Sequence, residues 1–374
     1  MSNITTAASQ YANRPADERF GTVPAFLAAC NADKAASMEA DRALRDLRPV
    51  VVDGTVRLQG PKGNPAALTH WSFGQLARTV GAPAGYLREL PADLTAQCLQ
   101  HGISTTPDGS DARLLVKRGT TGDLTIRALT STSYGRLWDA DVYGMVAQQI
   151  MGNDPQWQLP PTWKQDASGQ PLREGAYRGD RDSFLIVCNG GSIVEDPSAM
   201  QSGPGSDRGG AMYRALMISN SEVGSRSLTI ESVLYRYICG NHILWGATMD
   251  RRFRRRHVGQ ITRQAAAEIG RFAWQFSHAS VARDEALIRG MIQHEVAQTD
   301  DAIVSQLRAW GATQEQAASA LQQATQFERN PRSYWGIANG LTRASQETPY
   351  QDDRYALDKL AGEVLARAAR LVTV

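Results

Sequence analysis

Two groups of residues in this 374-residue chain have types and spacing that could do chemistry. The first is Arg251, Arg252, Arg254, Arg255 and Arg256 around Phe253, with His257 next. A guanidinium is planar and donates hydrogen bonds in pairs, so a dense arginine run suits phosphate oxygens. An aromatic ring among cations can stack on a nucleobase. The competing reading is a solvated helix start with internal ion pairs. Cations at a helix N-terminus oppose the macrodipole. A polyanion, or facing carboxylates such as Glu222 and Glu231, is therefore expected nearby. The second group is Asp180, Asp182, Glu222 and His242. Two carboxylates with a histidine could hold Mg²⁺ or Mn²⁺ for hydrolysis. The ordinary reading, a strand start and a turn, is preferred, so no metal and no cofactor is expected.

Other patterns narrow the chemistry. The chain has no GxxxxGK[ST] phosphate loop, no GxGxxG after a strand, no GxSxG elbow and no HExxH. His294-Glu295 is a near miss, because Gln298 stands where a second zinc histidine is needed. Asn220-Ser-Glu-Val-Gly224 reads as a tight turn between strands, with positive φ at Gly224 and with Asn220 and Glu222 at the sheet edge. In Cys239-Gly-Asn-His242, the cysteine follows an apolar stretch and should be buried and unreactive. Asn241 and His242 should hold that turn by hydrogen bonds. Residues 71–90 resemble a helix-turn-helix, with Ala77, Gly81 and Leu87 at the small, turn and buried positions. A packed helical hairpin with Gly81 as its cap is the preferred reading.

Periodicity supplies the elements that must position these groups. A short helix is expected at 24–30 and a hairpin at 50–58 turning on Asp53-Gly54. Two or three helical pieces follow over 71–100, then two strands within 112–131 and a helix over 139–150. Residues 155–179 read as a loop, and strands are expected at 184–188, 213–219 and 227–231. Apolar residues from Ile261 to Met291 recur at helical spacing, which predicts a long helix over about 260–298. Asp300 is expected to cap the next helix, and Thr313 with Gln316 forms a capping-box pattern. Further helices are expected at 334–346 and 353–371. The fold class is α+β: a mostly antiparallel sheet with flanking helices, then an α-helical C-terminal unit. The expected divisions are 1–60, 61–258 and 259–374.

Composition is that of an ordinary globular protein, 42% hydrophobic and 21% charged. Net charge is only +2, but arginine outnumbers lysine 35 to 5. Codon bias explains that ratio and does not explain the cluster around Phe253. Four cysteines without a CxxC pair argue against a disulfide framework and point to a reducing, cytoplasmic setting. No apolar run is long enough for a membrane helix, and no secretion signal is expected.

Several blocks resemble the DUF932 family, phage- and plasmid-borne proteins of undefined function. They are Arg14-Pro15 with Asp17–Phe20; Trp71–Phe73 with Gln75–Ala77 and Gly81–Pro83; Tyr86–Arg88 with Leu90-Pro91; and Arg127-Ala128 with Ser131 and Tyr134. Further on come Asp180–Asp182 with Phe184, Asn220–Gly224, Cys239–His242 with Trp245-Gly246, Arg256–Gly259, and Trp335-Gly336 with Asn339, Leu341 and Thr342. The resemblance implies a mobile element, near replication or recombination genes. The expectation is a nucleic-acid-binding protein, nearest to a single-strand DNA binding or annealing factor. One alternative is a metal-dependent hydrolase or nuclease using Asp180, Asp182, Glu222 and His242. The other is a non-catalytic structural protein. A homo-oligomer stays open.

Overall fold

The computed structural model describes residues 16–61, 63–165, 167–169, 171–194, 212–238, 241–245, 252–255, 257, 268–269, 271–272, 274–276, 282–347 and 351–372. The arginine-cluster members 251 and 256, and Cys239, lie outside the described residues.

A short strand β1 (Arg19–Phe20) leads into helix α1 (Val23–Ala36). Thr22 caps that helix by accepting from the Ala25 amide, and a proline in the first turn suits its start. The first sheet then takes β2 (Ser37–Ala43), β3 (Arg48–Val52), β4 (Thr55–Gln59), β5 (Ala66–Leu68), β6 (Asp111–Arg118) and β7 (Leu124–Thr130). Its spatial order is β2-β6-β7-β5-β4-β3. β3 and β4 turn on Asp53 and Gly54 at φ 50° and 70°, the pair of positive values a type I′ hairpin needs. Strand β2 pairs with β6, and β4 with β5. The division expected at residue 60 therefore runs through one sheet. Helices α2 (His70–Thr79), α3 (Ala84–Glu89) and α4 (Ala92–Ser104) bury Leu76, Leu87, Leu99 and Ile103 against Leu58, Leu114 and Ile126.

Helix α5 (Asp139–Val146) widens into a π-turn at Ala147–Met151. Four short strands follow: β8 (Trp157–Gln158), β9 (Pro161–Gln165), β10 (Pro171–Arg173) and β11 (Ala176–Arg178). The loop expected at 155–179 is corrected accordingly. Pro161 and Pro171 stand first in their strands, where a missing N–H is tolerated, so proline density concealed them. The second sheet is completed by β12 (Ser183–Val194), β13 (Met212–Asn220), β14 (Leu228–Ile238), β15 (Asn241–Trp245) and β16 (Arg252–Arg255). It runs β1-β11-β12-β13-β14-β15, with β8 on β12 and β16 on β14, and every pair is antiparallel. All of β13 is buried, so both faces of the sheet are covered.

The C-terminal unit holds α6 (Ala282–Gln293), α7 (Asp300–Ala309), α8 (Gln314–Phe327), α9 (Tyr334–Glu347) and α10 (Gln351–Val372). The helix expected to reach 298 ends at Gln293, and Glu295 instead bridges Ser333. Thr299, one residue before the expected Asp300, caps α7. Thr313 and Gln316 form the full capping box of α8. Arg214 of β13 pairs with Asp284 of α6 at 3.3 Å, both side chains 3% exposed, which ties this unit to the sheet. The chain is thus α+β with a helical C-terminus. Among the described residues no helix is long and apolar enough to cross a membrane.

Candidate functional site

The segment Asn220–Gly224 is the tight connection between β13 and β14, and Gly224 has φ +80°. Asn220 and Glu222 do not lie at the sheet edge as expected. Asn220, Ser221, Glu222 and Val223 are all buried, because the first sheet closes over the turn. The Trp71 indole and the Gln75 amide of α2 both donate to the Val223 carbonyl, each at 2.9 Å. Gln75 also accepts from the Leu129 amide of β7. Tyr134 donates to the Ser221 carbonyl at 3.0 Å, and Arg136 to that of Glu222. On the other side, the Ser221 and Ser225 hydroxyls both donate to the Arg181 carbonyl, at 2.6 and 2.7 Å.

Beneath the turn lies a buried charge cluster. Glu222 accepts from Arg127 of β7 at 2.8 Å and from the Asp139 amide at 2.9 Å. Asp139, the first residue of α5, accepts from Ser183 and from Asn220, each at 2.8 Å. Tyr143 shares the Ser183 hydroxyl at 2.9 Å. The Arg178 guanidinium lies between three carboxylates: Asp33, Asp139 at 3.4 Å and Glu222 at 3.5 Å. Asp33 also pairs with Lys117 at 2.6 Å. Three acids, Asp33, Asp139 and Glu222, thus meet two buried cations, Arg127 and Arg178, and the half-exposed Lys117 at the margin.

Charge burial is costly unless each ion is paired and hydrogen-bonded. Burial, then the neighbouring Glu222 charge, pushes Asp139 up from 3.8 to about 6. Burial opposes Asp33 as well, yet Arg178 and Lys117 hold it below its ordinary value. Burial, with the Asp139 charge, drives the Cys30 thiol up to about 12, so it acts as a small apolar group.

A pH prediction follows from Asp139. Its folded value lies above the unfolded 3.8, so the folded protein holds a proton that the unfolded chain has released. That contribution favours folding below about pH 4 and is lost as pH rises through about 6. The difference in melting temperature between wild type and Asp139→Asn should therefore shift against wild type across this window and then level off. A flat difference from pH 4 to 7 would refute the assignment.

The Asp180, Asp182, Glu222 and His242 set does not converge. Asp180 is exposed, and Asp182 is paired with Arg226 at 2.6 Å. Glu222 is inside the cluster. His242 stands opposite Tyr237 in the β14–β15 pairing, at the other end of β14 from the turn, with Asn241 opposite Ile238. Among the described residues no group of three acids, histidines or cysteines could hold a metal ion.

The arginine cluster also takes an unexpected form. Residues 252–255 form a strand, β16, which among the described residues pairs only with β14, and are not themselves a helix start, so the macrodipole reasoning does not apply there. Phe253 stands opposite Ile230, a core residue, and Arg252 opposite Glu231. Arg254 is exposed and donates to the Ser227 hydroxyl at 3.4 Å. His257 lies inside the protein, stacked on the Tyr134 ring at 5.1 Å and 9°. Burial, then the Arg136 charge, lowers it to about 4, which keeps it neutral.

The helix-turn-helix likeness resolves into a hairpin. Gly81 has φ +73°, Leu87 is buried, and the second helix has only six residues. Arg88 of that second helix donates to the His70 carbonyl and covers Phe73. Sequence reasoning assigned no site role to Asp33, Arg127, Asp139 or Arg178. Each sits alone in an ordinary local pattern, and only the closing of the two sheets gathers them.

Comparison with curated proteins and with solved structures gave no match. Residues 173–359, from the last residue of β10 into the first half of α10, match a family described as a domain of unknown function, DUF932, and the chain belongs to that family.

Proposed function

We propose that this chain binds nucleic acid, single-stranded DNA in preference to duplex, as a binding or annealing factor of a mobile element. The supporting observation is how charge is divided around the 220–227 turn. Arg127, Arg136, Arg178 and Arg226 have carboxylate partners. Arg181 and Arg254 are exposed and have no carboxylate partner among the described residues. They flank the same turn, through Ser225 on one side and Ser227 on the other. An edge strand needs only a charge or two to block unwanted pairing. Five arginines from 251 to 256 exceed that need.

Each phosphate contact on a single strand contributes about 0.7 to the slope of log affinity against log salt. The Arg181→Ala/Arg254→Ala variant should flatten that slope by about 1.4 and weaken all sequences alike. Both residues are exposed, so its melting temperature should match wild type. Fluorescence anisotropy with labelled oligothymidine over a salt series measures this. A wild-type protein without salt-sensitive binding to any strand, or a double variant that binds as wild type does, ends the proposal.

A further inference from the structure

We infer that Trp71 is a base-stacking platform and that one nucleobase of a bound single strand enters between its ring and the Arg181 guanidinium. This rests on the nucleic-acid reading above and names the residue that would receive a base.

Trp71 is half-buried on the first turn of α2. Its indole N–H is fixed by the 2.9 Å bond to the Val223 carbonyl, and Trp71 packs against the buried group Leu115, Ala128 and Val223. The ring is thus held in place from within the protein. Over it lies the Arg181 guanidinium, 6.0 Å from the ring centre. That distance is at the outer limit of a cation–π contact. The Arg181 backbone is anchored by the Ser221 and Ser225 hydroxyls, while its residue is exposed. Arg88 over Phe73 provides the contrast. It lies closer, at 5.2 Å, and a hydrogen bond to the His70 carbonyl pins it.

A rigid ring under an exposed, unneutralised cation suits a flat group attached to an anion. Displacing the loose guanidinium outward would place the base on the indole and leave the cation near the adjoining phosphate. Every base has a π-face, so the contact is sequence-tolerant. Duplex bases are stacked on one another and unable to enter. Arg254, on the far side of the turn, continues the path for the backbone. Phe253 is not needed as the stacking residue, since its strand position faces a core residue.

The test compares wild-type binding to oligothymidine and to an abasic strand of equal length and charge. Wild type should bind oligothymidine about 5- to 150-fold more tightly, the range of one stacked base. Trp71→Ala should lose that difference and keep the salt slope. Trp71→Phe, which retains a ring, should keep most of it. Should Trp71→Ala fail to fold, the abasic comparison on wild type and the Trp71→Phe titration still decide. Salt-sensitive binding that is equal for both strands overturns the platform and leaves the nucleic-acid reading intact. A preference for bases that survives in folded Trp71→Ala also overturns it. Absence of binding to either strand removes the nucleic-acid reading and the platform with it.

Discussion

Glu222→Ala should destabilise the protein by about 3–5 kcal/mol, the usual cost of removing one partner from a buried ion pair. The Glu222 side chain is fully buried, and that of its partner Arg127 is 8% exposed. Alanine would leave the Arg127 cation without its carboxylate and the Asp139 amide without an acceptor. Arg178 would lose one of its three carboxylates. Glu222→Gln keeps an oxygen for the Asp139 amide and should cost less. Replacing both partners, Arg127→Met with Glu222→Leu, should recover much of the loss, because no uncompensated ion then remains. Denaturant midpoints at constant slope measure the series. A loss below about 1 kcal/mol for Glu222→Ala would mean that water reaches the cluster.

Gly340→Ala should also be severe, for a steric reason. A Cβ at Gly340 would lie 2.1 Å from the Ala320 carbonyl oxygen and 3.0 Å from the Ala324 Cβ. These are atoms of α8, whose Ala317, Ala320 and Ala324 are fully buried against α9. Backbone cannot swing aside as a long side chain can, so the helices must separate. Overpacking of this kind costs about 1–3 kcal/mol, more than the roughly 1 kcal/mol that alanine gains over glycine in a helix. Gly144→Ala in α5 is the control. No atom lies within 4 Å of its added Cβ, so propensity should dominate and stability should rise slightly. Equal melting temperatures for Gly340→Ala and wild type would mean that α8 and α9 do not approach as described.

Legibility in the sequence followed locality. The hairpin on Asp53-Gly54, the capping box at Thr313 and the positive φ of Gly224 are set by neighbouring residues, and each could be read from a few letters. The strands at 157–178 could not, since β11 meets β1 and β8 meets β12 across long stretches of sequence, while β9 and β10 are short, pair only with each other and begin with prolines that mimic a loop. The candidate site was half visible. Asn220, Glu222 and Gly224 stood out as a turn, but their burial depends on α2, β7, Tyr134 and Arg136 before α5, and the first residue of α5. The arginine run was visible as composition, while its strand geometry depends on pairing with β14.

The cluster beneath the 220–224 turn also bears on what counts as one unit of this chain. Its members come from α1, β6, β7, α5, β11 and the β13–β14 turn, so few of its contacts are local in sequence. The matched stretch 173–359 contains Arg178 and Glu222 but not Asp33, Lys117, Arg127 or Asp139. It also omits β1 and β8, two strands of the second sheet. A fragment cut at those limits would carry an arginine and a glutamate stripped of most of their partners, beside an open sheet edge. The stretch that similarity delimits is therefore smaller than the stretch that holds the cluster, and a piece that keeps the whole cluster must begin before Asp33.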